Sequence, residues 1–197
     1  MARPAVKKQE IEQAAIRLFA LNGLAGTTIK DIAAAANVTE GALYRHYPSK
    51  NEMAWKLYCR EVDRLSHAIE AGVSSASGTL RDRMLTGVRF FYSYYRENPD
   101  NLTFVLFTRQ SFPMHQLSDE NIDPDVVIVK FLQSLLSCAP AHKVDPASMP
   151  LILAMVRGAV CEPLLMHRYG KITTWPDELI EPVADACVRI LTTGGAA

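Results

Sequence analysis

The chain has 197 residues, of which 49% are hydrophobic and 21% are charged, with 21 basic and 21 acidic side chains. This composition is typical of a folded globular protein and excludes a disordered or collagen-like chain. Residues 1–60 carry nine Lys or Arg against five Asp or Glu, so the positive charge is concentrated near the N-terminus, where it favours an acidic partner such as nucleic acid.

The first predicted helix runs over about residues 7–21. Ile11, Ala15, Leu18 and Phe19 recur at the spacing of one buried helical face. Asn22-Gly23 follows this stripe and supplies the stop signal of a helix C-terminus.

Two short helices with a tight turn between them are predicted next. Thr28 and Asp31 stand three residues apart, as the two partners of an N-terminal capping box do. Asn37 follows an alanine run and tolerates the left-handed conformation of a helix end. Thr39 caps the next helix, which Pro48 ends. The pattern predicts a helix-turn-helix.

A fourth helix is predicted to begin at Lys50, because Ser49 and Glu52 form a further capping signal. A lysine in a first turn opposes the helix dipole unless an anion binds there, so we expect a phosphate contact at Lys50. Arg45 suits a bidentate guanine contact or, equally, a phosphate contact. The expected DNA-binding residues are Thr28, Thr39, Glu40, Gly41, Ala42, Tyr44, Arg45, His46, Tyr47 and Lys50.

This stretch resembles the DNA-binding domain of the TetR (tetracycline-repressor) family of transcriptional regulators. Asn37 departs from the usual glycine of the family, and Tyr47 stands where phenylalanine is common, so its hydroxyl is expected to donate to phosphate. The matching residues are Ala15, Leu18, Phe19, Gly23, Thr28, Ile32, Ala33, Ala36, Val38, Gly41, Leu43, Tyr44, Tyr47, Ser49 and Lys50.

The resemblance implies a dimeric regulator with a DNA-binding domain over residues 1–52 and an effector-binding and dimerisation domain over residues 53–197. Ligand binding in the second domain would then move helix four, which belongs to both, and spread the two recognition helices. Such a protein is expected to act as a repressor that a small effector releases from its operator.

The C-terminal part reads as further helices, and with no alternating strand pattern the whole chain is predicted to be all-α. Residues 90–112 hold eight of the sixteen aromatic side chains, more than one helical stripe can bury. We expect the surplus to line a pocket for an apolar or aromatic effector, although a fully packed core is the alternative. The expected lining residues are Tyr92, Tyr95, Phe107, Arg109, Met155 and Met166.

The last two predicted helices, over about residues 147–169 and 176–193, carry more apolar surface than one small core can bury. Gly158 and Ala159 permit close helix contact. We therefore expect a homodimer interface at Gly158, Ala159, Val183, Ala186 and Ile190.

The sequence contains no pattern of catalytic, metal-binding or cofactor-binding residues, so we expect neither an enzyme nor a resident cofactor. The four cysteines are scattered and read as free thiols of a cytoplasmic protein, and no membrane association is expected. A DNA-binding protein controlled by a protein partner, with the polar segment 113–123 as the contact, is the alternative to small-molecule control.

Overall fold

Every regular element among the described residues is helical, which confirms the all-α prediction. The computed structural model describes residues 4–74, 76–113, 116–117, 124–137, 145–174 and 176–193. The chain divides into a first unit, Met1–Leu65 with Asn98–Ile122, and a second unit, Ser66–Glu97 with Asp123–Ala197. The domain boundary expected at residues 52–53 lies inside the fourth helix, which runs Lys50–Val73.

The first unit is formed by α1 (Pro4–Asn22), α2 (Ile29–Ala35), α3 (Glu40–Tyr44), most of α4 (Lys50–Val73) and α6 (Pro99–Thr108). Gly23 ends α1 with φ +71°, as its position after the apolar stripe predicts. Helix α1 packs along α6, and Phe19 stacks on Phe104 with ring centroids 5.7 Å apart. The ring centroid of Phe112 lies 5.0 Å from those of both Trp55 and Tyr58. Aromatic ring contacts therefore join α1, α4, α6 and the segment after α6.

The second unit is formed by the end of α4, α5 (Leu80–Glu97), α7 (Pro124–Ser137), α8 (Met149–Arg168) and α9 (Pro176–Thr193). Helix α9 packs against both α5 and α8. An ion pair between Arg81 and Asp185, at 2.6 Å, and another between Arg96 and Asp177, at 2.9 Å, join α5 to α9 at the surface. Burial raises the pKa of Cys161 to about 12 and that of Cys187 to about 11, so both are unreactive free thiols.

Helix α8 is the one helix in the described ranges that is long and apolar enough to cross a membrane by length and composition alone. The sequence analysis expected no such segment. In the structure α8 packs on α9 in the helical second unit. Only 22% of the most apolar 18-residue stretch of α8 is buried within the chain. Much of the apolar surface of this helix is therefore uncovered.

Candidate nucleic-acid interface

Helix α2 begins with the capping box that the sequence predicts. The Thr28 hydroxyl accepts a hydrogen bond from the Asp31 backbone N–H at 3.1 Å, and an Asp31 carboxylate oxygen accepts from the Thr28 N–H at 2.9 Å and from its hydroxyl at 2.6 Å. The hydrogen bonds from Thr28 lower the pKa of Asp31. The reciprocal bonds satisfy N–H groups that a helix start would otherwise leave exposed, and so fix where α2 begins.

The turn between α2 and α3 is set by Asn37, the non-glycine residue with positive φ (+50°) among the described residues. Its left-handed conformation lets the Val38 N–H donate to the Ala33 carbonyl at 3.0 Å. Ala33, Ala36 and Leu43 are buried beside this turn. Asparagine therefore takes the role for which glycine is the commoner choice.

Helix α3 presents a polar face to solvent. Thr39 caps it by accepting from the Ala42 N–H at 3.3 Å, and Leu43 anchors it in the core with no exposed surface. A Cβ added at Gly41 would meet only the Thr39 hydroxyl, at 4.0 Å, so another molecule can approach the backbone closely there. Ala42 is half-buried, and the exposed residues of the predicted set are Thr28, Thr39, Glu40, Gly41, Tyr44, Arg45 and His46.

Tyr47 is wrongly predicted as a phosphate donor. Its side chain is buried, and its hydroxyl donates to a carboxylate oxygen of Glu12 in α1 at 2.5 Å. Burial, and next the hydrogen bond to the negative Glu12, raise the pKa of Tyr47. The hydroxyl therefore bonds inside the protein, and Tyr47 offers the solvent no donor.

Lys50 is also placed differently from the prediction. Helix α4 does begin at this residue, and the Ser49 hydroxyl accepts from the Glu52 N–H at 3.1 Å as a cap. The Lys50 ammonium, however, donates to the carbonyl oxygens of Leu24 and Thr27 at 2.7 and 2.8 Å. These carbonyls supply the negative partner that the sequence analysis assigned to a phosphate, so Lys50 holds the α1–α2 connection to α4.

The sequence analysis missed a buried charged group next to this interface. Glu12 is only 8% exposed, and an Arg60 guanidinium nitrogen donates to its second carboxylate oxygen. Glu12 stands four residues before Ile16 and seven before Phe19, both buried, so it occupies the apolar face of α1. A carboxylate on a buried helix face requires a partner, so the position of Glu12 in the sequence could have indicated this contact.

The residues predicted to line an effector pocket are divided between the two units. Phe107 and Arg109 belong to the first unit, and the others to the second. Tyr92 and Tyr95 are buried in a packed core, where the Tyr95 hydroxyl donates to the Leu164 carbonyl at 3.4 Å. The aromatic surplus is therefore divided between two cores, with Met155 exposed on α8 and Met166 half-buried.

A cavity of about 60 Å³ lies elsewhere in the second unit, and among the described residues none of the six predicted ones lines it. Arg157, the charged residue of the wall, is paired with Asp125 at 3.1 Å. A Cβ at Gly87 would lie 2.6 Å from the ring of Phe131, so the glycine makes room for this wall residue. The lining comprises Ile69, Val73, Met84, Gly87, Val88, Phe90, Phe91, Ile128, Phe131, Leu132, Val156, Arg157, Val160 and Cys161.

The predicted dimer residues differ in exposure. Gly158 is exposed, and a Cβ there would meet no atom within 4 Å. Ala159, Ala186 and Ile190 are half-buried, whereas Val183 is buried within the chain. Val183 is therefore covered by its own unit and offers little surface to a partner.

The N-terminal helices match a known family. Residues 11–54 match the model described as bacterial regulatory proteins, tetR family. The helix-turn-helix segment of this chain is therefore of the TetR-family type. The match contains α2, α3 and the start of α4, so the exposed face of α3 lies on the family's DNA-binding helix-turn-helix.

Similar curated proteins are transcriptional repressors. The chain is 28% identical over 116 residues to the probable acrEF/envCD operon repressor of Escherichia coli K12, a match covering 57% of this chain and 52% of that protein. It is 33% identical over 87 residues to the repressor KstR2 of Mycolicibacterium smegmatis, covering 44% of this chain and 42% of that protein. The chain thus spans about half the length of the curated relatives it matches.

Solved structures share the fold over nearly the whole chain. A TetR-family regulator from Bordetella parapertussis gives a TM-score of 0.74 at 21% identity, covering 93% of this chain and 94% of that one. The regulator FadR from Bacillus subtilis, in complex with stearoyl-CoA, gives 0.69 at 17% identity, covering 96% of this chain and 100% of that one. At these identities the similarity shows the fold alone.

Proposed function

We propose that this protein is a cytoplasmic, homodimeric repressor that binds operator DNA through α3 and is released by a small effector. The observation that carries the proposal is the exposed polar face of α3. This helix is capped by Thr39, held in the core by Leu43, and lies within the segment that matches the family. A short helix of this kind enters the major groove and reads base edges.

Arg45 is the residue of this face best suited to read a base. It is exposed immediately after α3, and its guanidinium can contact both O6 and N7 of a guanine. Duplexes selected from a random library by the wild type and by Arg45→Ala test this role. We expect Arg45→Ala to relax one position in each half-site, whereas Arg189→Ala, an exposed arginine of α9, leaves the selected motif unchanged. A motif unchanged by Arg45→Ala, with affinity alone reduced, would assign Arg45 to phosphate.

The uncovered face of α8 supports a homodimer. Leu151 is 64% exposed and Met155 40% exposed, and they lie one turn apart on the side of α8 that carries Gly158. A second copy is the occupant that this face favours, because two-fold symmetry pairs the same apolar surface with itself. A dimer also presents two recognition helices to successive major grooves about 34–36 Å apart.

The cavity of the second unit supports an effector site with an apolar lining. Its charged wall residue is already neutralised by Asp125, so an apolar or aromatic compound fits it better than an anion. At about 60 Å³ the cavity is smaller than the roughly 300–1,000 Å³ of drug-sized sites. A larger ligand would therefore bind a form in which Met84 and the wall rings have moved, and would shift the population toward that form.

Paired tryptophan substitutions on α7 test the effector site. Ile128 lines the cavity, whereas Gln133 on the same helix is exposed. We expect Ile128→Trp to abolish the thermal shift that a binding compound gives the wild type, and Gln133→Trp to preserve it. A compound that still stabilises Ile128→Trp as strongly as the wild type would place its site elsewhere.

A further inference from the structure

A polar network built on two buried carboxylates and the exposed guanidinium of Arg60 lies beside Tyr47. Tyr47 lies three residues after the end of α3, and its N–H donates to the Leu43 carbonyl of that helix at 2.9 Å. Its hydroxyl donates to Glu12 of α1 at 2.5 Å. The other carboxylate oxygen of Glu12 accepts from Arg60 of α4. Tyr47 is therefore joined to α1 directly and to α4 through one carboxylate.

Arg60 extends the network along α4. Its remaining guanidinium nitrogens donate to one carboxylate oxygen of Glu61, at 3.1 and 3.2 Å. Glu61 is only 1% exposed, and its other oxygen accepts from the Asn101 side chain of α6 at 2.8 Å. Arg64 also lies 3.6 Å from this carboxylate. The network thus connects the end of the recognition element with three other helices of the first unit.

A network of this kind contributes directional contacts more than net stability. Removing two carboxylates from water is costly, and well-packed apolar residues of similar volume often stabilise a protein equally well. Buried, fully partnered polar groups do, however, restrict the arrangement of the elements they join. Because the aromatic ring of Tyr47 is buried in any case, its hydroxyl adds an orientation-dependent bond that a phenylalanine would not make.

We propose that Tyr47 is a positioning residue, which holds the recognition helix in its DNA-binding orientation relative to α4 through Glu12 and Arg60. The inference rests on the proposed operator binding. Arg45 and His46 lie between α3 and Tyr47, so a residue that fixes Tyr47 also fixes the backbone that carries both of these exposed side chains. Loss of the hydrogen bond from the Tyr47 hydroxyl to Glu12 leaves the core intact. It allows the segment that carries Arg45 and His46 more orientations, only some of which fit the major groove of DNA.

Tyr47→Phe tests the proposal, because it removes one oxygen and keeps the buried ring. The probes are the duplex that the wild type selects from a random library and an unrelated duplex of equal length, titrated by fluorescence anisotropy at several salt concentrations. We expect affinity for the selected duplex to fall about five- to tenfold, since part of one charge-assisted hydrogen bond is lost. Affinity for the unrelated duplex and the salt slope should not change.

Tyr95→Phe is the matched control, because it also removes a buried tyrosine hydroxyl, one that donates to a backbone carbonyl in the second unit. We expect it to leave both affinities unchanged. Glu12→Gln and the double variant with Tyr47→Phe complete a mutant cycle. The double variant should bind the selected duplex no more weakly than the weaker single variant, because both changes break the same connection.

Four results would overturn the inference. The first is a folded Tyr47→Phe protein that binds the selected duplex as tightly as the wild type. The second is a salt slope reduced by about one unit with equal losses on both duplexes, which would identify a phosphate contact. The third is an equal loss in Tyr95→Phe, which would indicate general destabilisation. If the wild type itself selects no duplex, the proposed function is wrong and the inference falls with it.

Discussion

Substitution of Lys50 separates a structural role from a DNA contact. The Lys50 ammonium donates to two carbonyl oxygens, of Leu24 and Thr27, and is half-buried. Each hydrogen bond from a charged donor stabilises a fold by about 1.5–3 kcal/mol when buried. Because Lys50 is partly exposed, water compensates for part of the two lost hydrogen bonds. We therefore expect Lys50→Ala to lower the free energy of unfolding by about 2 kcal/mol. In a chain of this size that loss corresponds to about 4–8 °C in melting temperature.

The assay is thermal and urea unfolding followed by the fluorescence of the two tryptophans, of which Trp55 reports on the first unit, where its ring centroid lies 5.0 Å from that of Phe112. Lys56→Ala is the matched control on the same helix. Lys56 is exposed and pairs with Glu52 at 2.6 Å, a surface contact worth about 0.3–0.5 kcal/mol.

The sequence-based reasoning instead predicts that Lys50→Ala weakens binding to all DNA sequences alike and reduces the salt slope by about one unit. A phosphate contact with no structural role would leave the stability unchanged. That result would refute the assignment of Lys50 to the α1–α2 connection. A Lys50→Ala variant that loses no more stability than the Lys56→Ala variant would refute this assignment as well.

Three further substitutions test other parts of the account. Burial raises the pKa of Glu12, but the hydrogen bonds from Tyr47 and Arg60 and the charges of Arg60 and Lys8 together bring it below its ordinary value. The Glu12 carboxylate should therefore stabilise the fold above about pH 4.5 and lose this contribution as pH falls through the folded-state pKa. The difference in free energy of unfolding by urea between wild type and Glu12→Gln should narrow from pH 7 towards pH 3, and a constant difference would contradict this. Leu151→Glu should give monomers in sedimentation equilibrium, because it places charge on the proposed two-fold contact, and an intact dimer would exclude that face. Gly72→Ala should lower the melting temperature, because the added Cβ would lie 2.1 Å from the ring of Phe90. Gly158→Ala is the control and should not lower it, because its Cβ would meet no atom within 4 Å. Equal effects of the two substitutions on the melting temperature would argue against the Phe90 contact.

Local signals predicted the helix-turn-helix well. The Thr28–Asp31 capping box, the left-handed Asn37 and the start of α4 at Lys50 were all predicted from neighbours within four residues and are confirmed. Such features depend on hydrogen bonds between residues close in sequence, so the residue types at fixed offsets determine them.

The roles of side chains that depend on distant partners were predicted wrongly. Tyr47 bonds to Glu12, 35 residues earlier, and Lys50 bonds to carbonyls 23 and 26 residues earlier. Backbone carbonyls have no sequence signature, so no pattern could have indicated them as the partners of a lysine. The polar residue on the buried face of α1 was the one available sign of the first contact.

The residues predicted to line the effector pocket are divided between the two units for a similar reason. Closeness in sequence between residues 90 and 112 suggested a single aromatic cluster, but α5 ends at Glu97 and Pro99 begins α6 in the other unit. Phe91 and Phe104, thirteen residues apart, therefore belong to different cores. The observed cavity is lined instead by α4, α5, α7 and α8, a combination that only the tertiary packing defines.

The most direct test of the central claim is selection of duplexes from a random-sequence library by the purified wild-type protein at physiological salt, followed by sequencing. If two copies of the exposed α3 face read DNA, the enriched sequences share two inverted half-sites about one helical turn, 10–10.5 base pairs, or a multiple of it apart. Recovery of duplexes without a shared motif, bound no more tightly than the starting library, would contradict operator recognition by this protein.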